Sequence, residues 1–291
     1  MTFQNLSNFS QRLWVSLIGS FLCLSAILLS QAPYFRIVYL FLIACLASFA
    51  LRELFKMVQA KGFEPLEFTG YVVAIAFLVG NFLAAHEKSL SWMPEITLLL
   101  GVASFFTYHF AKGKNPFVNI ALTLFCLLYV AIPLGAALQI TYIFPSNSTQ
   151  DGRIWLIYLL VIAKATDMGA YGFGKKWGKT KLAPYISPKK TWEGLAGGCF
   201  AALIANYIVQ SILLALGQPL PFSFWKSALF ALVISLFAHF GDLAESLLKR
   251  DASVKDSSHL PGLGGLLDIL DSLVFALPFL YIILKTPIGD C

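Results

Sequence analysis

At 291 residues, 58% of them hydrophobic and only 12% charged, the chain falls well short of the roughly 25% charge of a soluble domain. That balance excludes a soluble globular enzyme and predicts an integral membrane protein. The net charge of +6 suits a surface of anionic lipid headgroups and makes no case for a nucleic-acid partner.

Nine apolar spans follow in chain order, near 13–31, 35–55, 68–86, 93–111, 116–141, 153–173, 196–216, 224–247 and 266–284. Each is about long enough to cross a hydrocarbon core of roughly 30 Å. Such a core offers no partner to free backbone groups, so the spans must be helices. The two-residue alternation of an outer-membrane barrel is absent. The predicted fold is an all-α integral membrane protein, a polytopic bundle of about nine transmembrane helices. Arg12 precedes the first span, but no small-residue cleavage site follows it, so that span is read as a retained helix.

Lys and Arg set the orientation. The N-terminus and the loops after even-numbered spans hold fifteen of them, the other side five, and Lys164 lies within a span. The N-terminus is therefore expected in the cytoplasm. Five scattered cysteines show no metal-ligand or disulfide spacing.

Charge placement divides a single membrane domain into two functional halves. Residues 1–150 hold five acids (Glu53, Glu64, Glu67, Glu87, Glu95) in loops or near span ends, and read as scaffold helices. Residues 151–291 hold the other ten acids and read as the catalytic region. Its longest polar segments, 174–195 and 248–265, both face the cytoplasm on this topology, which points to one shared site.

In that half, "KATDMGAYGFG" sets Lys164 and Asp167 one turn apart near the end of span six. They either neutralise each other or mark function, as buried polar pairs in membranes tend to do. The loop "GKKWGKTKLAPYISPKKTWEGLAGG" carries six lysines. Ser187, Lys189, Lys190 and Thr191 within it suit phosphate contact, and a solvated basic loop is the alternative. In "GDLAESLLKRDASVKD", Asp242, Glu245 and Lys249 share one helical stripe. Lys249, Arg250 and Lys255 then stand at the cytoplasmic mouth, where they serve as topology anchors. With Gly264 and Gly265 of "SHLPGLGG" they form a phosphate cradle, because glycine lets backbone approach a ligand. Asp268 and Asp271 open the last span three residues apart, on one face of a predicted helix. Two acids could cap that helix. Adding Asp242 from the preceding span makes three convergent carboxylates, whose repulsion a hard divalent cation would relieve, and oxygen ligands suit Mg²⁺. A second cation, monovalent included, is compatible with the same acids. Of the histidines, His239 stands beside the Gly241-Asp242 pair and His259 in the cradle loop.

These blocks resemble a known family. Ser246-Leu-Leu-Lys249-Arg250, then Lys255-Asp256, Pro261-Gly262, Gly264-Gly265 and Asp268-x-x-Asp271-Ser272 are similar to the signature of phosphatidate cytidylyltransferases, the CDP-diacylglycerol synthases. "TDMGAY" (166–171), "ISPKKTWEG" (186–194) and "GDLAES" (241–246) resemble further family blocks in the expected order. The chain departs from that pattern at Leu263, where the family has histidine, and at Ile269, where it has arginine. The loop after Asp256 is one residue short.

The resemblance implies attack of a phosphatidate phosphate oxygen on the α-phosphorus of CTP, giving CDP-diacylglycerol and pyrophosphate. It implies Asp242, Asp268 and Asp271 as catalytic metal carboxylates and Lys249, Arg250 and Lys255 as charge-neutralising groups. It also implies substrate contacts from Asp167, Ser187, Lys189, Lys190, Thr191, Gly264 and Gly265, and a homodimer in the bacterial inner membrane. Two other classes share some of these features. A CTP-dependent polyprenol or phytol kinase lacks the long two-carboxylate signature. A cation-coupled transporter would need broken helices in two repeated halves.

Overall fold

A computed structural model describes residues 18–145, 148–254 and 265–286. In chain order the elements are α1 (Ile18–Leu29), α2 (Pro33–Ala60), α3 (Glu67–His86), a 3₁₀ turn (Lys88–Leu90), α4 (Met93–Lys112), α5 (Pro116–Tyr142) and α6 (Gly152–Trp177). A hairpin of β1 (Lys181–Ala183) and β2 (Ser187–Thr191) follows. Then come α7 (Trp192–Ala215), α8 (Phe224–Asp251), α9 (Leu267–Leu270), a 3₁₀ turn (Asp271–Leu273) and α10 (Ala276–Lys285). Among the described residues, eight helical segments are long and apolar enough to cross a membrane, and α1 is shorter. The protein is an all-helical integral membrane protein with a small hairpin added.

Two expectations change. The polar segment 174–195 is not a loop: α6 runs on to Trp177, the hairpin fills the middle, and α7 starts at Trp192. The last span is not one helix, so Asp268 and Asp271 do not share a continuous α-helical face. Pro278 supplies the reason, because its ring clashes with the carbonyl four residues earlier and it has no N–H to donate. The chain therefore breaks through the 3₁₀ turn before α10 begins.

The contacts define two compact units. The first comprises residues 1–138 and 251–269. Small residues let its helices approach closely: a Cβ on Gly101 would lie 2.3 Å from Val73 Cγ1, and one on Gly70 2.7 Å from the Phe55 ring. The turn before α3 is tied to α5, where Thr123 Oγ1 accepts from the Leu66 N–H at 2.8 Å. Outward side chains are apolar, as a lipid-facing surface requires: Phe68, Phe110 and Phe117 are all strongly exposed.

The second unit comprises residues 139–250 and 270–291. Its closest packing joins α6 to α7, the small-residue device typical of membrane helices. A Cβ on Gly169 would lie 2.4 Å from that of Ala201, and one on Gly197 2.2 Å from Phe173. Polar side chains link three helices: Tyr158 Oη donates to Asn206 Oδ1 at 2.8 Å, and Asn206 Nδ2 donates to Ser227 Oγ at 3.3 Å. Asp151 caps α6 through the Arg153 N–H, and Thr191 caps α7 through the Gly194 N–H.

Candidate active site

The hairpin determines which lysine turns inward. Side chains alternate along a strand, so Lys189 and Lys190 of β2 cannot face the same way. Lys189 is exposed and Lys190 half-buried. Lys190 Nζ stands 2.8 Å from Asp242 Oδ2 of α8, with side chains 23% and 37% exposed. The contact is an ion pair by distance, but the ammonium is not aligned to make a hydrogen bond among the described residues. His239, one turn before Asp242, lies in electrostatic reach of both Lys190 and Asp242, with its ring close to the backbone at Leu195. Gly198 leaves room for that ring, since a Cβ there would lie 2.7 Å from His239 Cε1.

Asp271 enters from the broken last span. It is buried, and its Oδ1 accepts from the N–H of Ser272. The backbone of α8 comes so close that a Cβ on Gly241 would lie 2.0 Å from the Asp271 carbonyl oxygen. Glycine at 241 therefore permits the contact. Asp271 is in electrostatic reach of Asp242, Asp167 and Lys164. On α6, Lys164 Nζ pairs with Asp167 Oδ2 at 3.3 Å, and Asp167 also interacts with Asp242 and Lys190. The second unit thus gathers Asp167, Asp242 and Asp271 with Lys164 and Lys190, a set with one more negative charge than positive.

That set fits a hard cation in its chemistry. Mg²⁺ commonly binds through one or two carboxylates, with substrate phosphates and water completing the shell. Asp242 and Asp271 can supply the carboxylates. Ser272 Oγ, next in the chain to Asp271, is buried and makes no hydrogen bond among the described residues. Among the described residues no three His, Cys, Asp or Glu side chains form a ready-made cage.

The other expected residues are placed as follows. Asp268 lies in the first unit, where its Oδ2 accepts from the Gly265 N–H at 2.7 Å. Lys249 Nζ pairs at 2.9 Å with Glu245, which is fully buried, so Lys249 is held on its own helix. Arg250 Nε donates to the Ile186 carbonyl at 3.1 Å and fastens the hairpin to α8. Thr191 is buried and occupied as the α7 cap, while Ser187 opens β2 opposite Ala183. Lys255, His259, Leu263 and Gly264 lie outside the described residues.

The sequence reading missed Glu53. It is buried on α2, and its two oxygens accept from the N–H groups of Leu266 at 3.0 Å and Leu267 at 2.9 Å. Those are the unpaired donors at the start of α9. An acid inside an apolar span was the available signal.

Residues 10–286 match the family described as the cytidylyltransferase family. A phosphatidate cytidylyltransferase of Chlamydia muridarum is 35% identical over 96% of this chain and 93% of its own length. One of Bacillus subtilis is 33% identical over 94% of this chain and 97% of its own. One of Staphylococcus aureus is 35% identical over 82% and 86%.

Proposed function

The chain belongs to the cytidylyltransferase family, and from that membership we propose that it is a nucleotidyltransferase making CDP-diacylglycerol from CTP and phosphatidate. A phosphatidate phosphate oxygen forms the new bond to the α-phosphorus of CTP. The bond from that phosphorus to the bridging oxygen breaks, and pyrophosphate leaves with the electron pair. A phosphate monoester loses its second proton with a pKa near 6, so the nucleophile is already largely ionised at neutral pH and needs no strong base. The task left to the protein is to neutralise and align two anions.

The observation that carries this reading is the meeting of Lys190 from the hairpin with Asp242 from α8, beside Asp271 and Asp167. Lys190 supplies a cation for phosphate. Asp242 and Asp271 would hold Mg²⁺, and Asp268 belongs with them to the family signature. When bound, the ion neutralises phosphate charge and holds the reacting groups in line. Lys249 acts through its pair with Glu245, Arg250 through the hairpin it anchors, and Lys189 from the solvent side. Gly265, Gly264 and Lys255 belong to the phosphate cradle. The bias of fifteen cationic side chains against five supports a site facing the cytoplasm. The bacterial relatives favour the inner membrane, and the family resemblance implies a homodimer.

Purified protein given CTP labelled in its α-phosphate and phosphatidate should form labelled CDP-lipid, and D271N should not. Transfer of label from the γ-phosphate to a lipid alcohol would instead identify a kinase, and no lipid product at all would overturn the assignment.

A further inference from the structure

The first unit carries a basic feature of its own. Ser48, Phe49, Arg52, Lys56 and Gln59 lie along one stripe of α2 and face Glu67 and Tyr71 of α3 across a cleft of about 560 Å³. Arg52 and Lys56 are one helical turn apart and exposed, and neither makes an ion pair among the described residues. The carboxylate in the cleft is already engaged, because Gln59 Nε2 donates to Glu67 Oε1. The cleft therefore holds two cations against one acid, with amide and phenol groups able to bond an oxyanion.

Its setting favours a lipid. The cleft occupies the last turns of α2 and the first of α3, the adjoining ends of two helices long and apolar enough to cross a membrane. Deeper along the same two helices the outward side chains are apolar: Phe49 is 56% exposed, Val72 51% and Ile75 42%. A phospholipid has this polarity order, with its phosphate at the interface and its chains below. A soluble phosphate would gain nothing from the apolar flank.

We propose that this cleft binds the phosphate of an anionic membrane phospholipid between Arg52 and Lys56, with the acyl chains against Phe49, Val72 and Ile75. Arginine offers a fork of donors to two phosphate oxygens, and lysine adds a point charge. The proposal is independent of the catalytic reading, because the ligand need not be turned over.

The test uses the full chain in mixed micelles and phosphatidylglycerol, which is not a phosphatidate. Native mass spectrometry counts the lipid retained, against phosphatidylcholine as the neutral reference. The wild type should keep one phosphatidylglycerol with at least a tenfold preference, and R52Q/K56Q should fall to parity. A circular-dichroism melt checks that the variant is folded. If it is not, R52K/K56R must keep the preference and K56Q alone must lower it. Equal preference in wild type and variant overturns the proposal. Displacement of the lipid by inorganic phosphate or CTP also overturns it, since either would make the cleft a soluble-anion site.

Discussion

Glu53 makes a prediction whose size follows from two hydrogen bonds. Its carboxylate accepts from the N–H groups of Leu266 and Leu267 at 3.0 and 2.9 Å, in a position only 6% exposed. Glutamine keeps the shape but has one acceptor oxygen. Its amide nitrogen would face the second N–H, donor against donor. One charge-assisted bond, worth about 1.5–3 kcal/mol, is lost, and a buried donor is left without a partner. A loss of about 2–3 kcal/mol raises local opening by roughly thirty- to one-hundred-and-fifty-fold. Hydrogen exchange of the 265–270 amides in E53Q should accelerate by that factor, read by mass spectrometry on a peptide covering them. Turnover should fall only as far as the open form becomes populated, while the overall melt shifts little. Wild-type exchange together with wild-type turnover in E53Q would refute the argument.

Asp242→Ala should abolish CDP-lipid formation while the melting midpoint stays within the shift expected of about 1 kcal/mol. Loss of the half-exposed pair with Lys190 is offset by relief of repulsion against Asp167 and Asp271. A large drop in midpoint with activity intact would make Asp242 purely structural. Lys190→Gln should impair use of both substrates far more than Lys189→Gln, because only Lys190 turns toward Asp242. Equal kinetic effects would show that alternation along β2 does not select the acting lysine. Gly241→Ala should lose turnover and lower the midpoint while helix content persists, since its Cβ would sit 2.0 Å from the Asp271 carbonyl oxygen. A fully active alanine variant would mean that the last span can shift without cost.

Much of this was legible because bilayer physics constrains sequence strongly. The apolar runs fix the helices, and isolated acids in spans six, eight and nine stand out against them. Asp242 and Asp271 were singled out that way, and they share one unit. Lys189 and Lys190 could not be separated, because the alternation that separates them exists only once residues 187–191 are a strand. A short polar strand among lysines carries no apolar periodicity to announce it. Thr191 was read for its hydroxyl as a phosphate contact, whereas position decides its use: it precedes a helix and caps it. Glu53 was passed over for proximity to a span end, and its partners lie 213 and 214 residues away, beyond any local pattern.

The broken last span joins several of these features into one local solution. A carboxylate near the end of a membrane span is tolerable only where the backbone around it is also satisfied. Here the Val274 N–H is shared between the carbonyls of Leu270 at 3.1 Å and Asp271 at 3.4 Å. The Asp271 side chain takes up the Ser272 N–H, so the 3₁₀ turn closes on itself. Residues 270–274 are buried, and α8 closes over them at Gly241, the residue before Asp242. The glycine that admits the turn thus also brings the two carboxylates within electrostatic reach. Pro278 keeps the break from healing into a regular helix, which would carry Asp271 out of this register. The chemistry of the site and the irregularity of the span are consequences of the same residues.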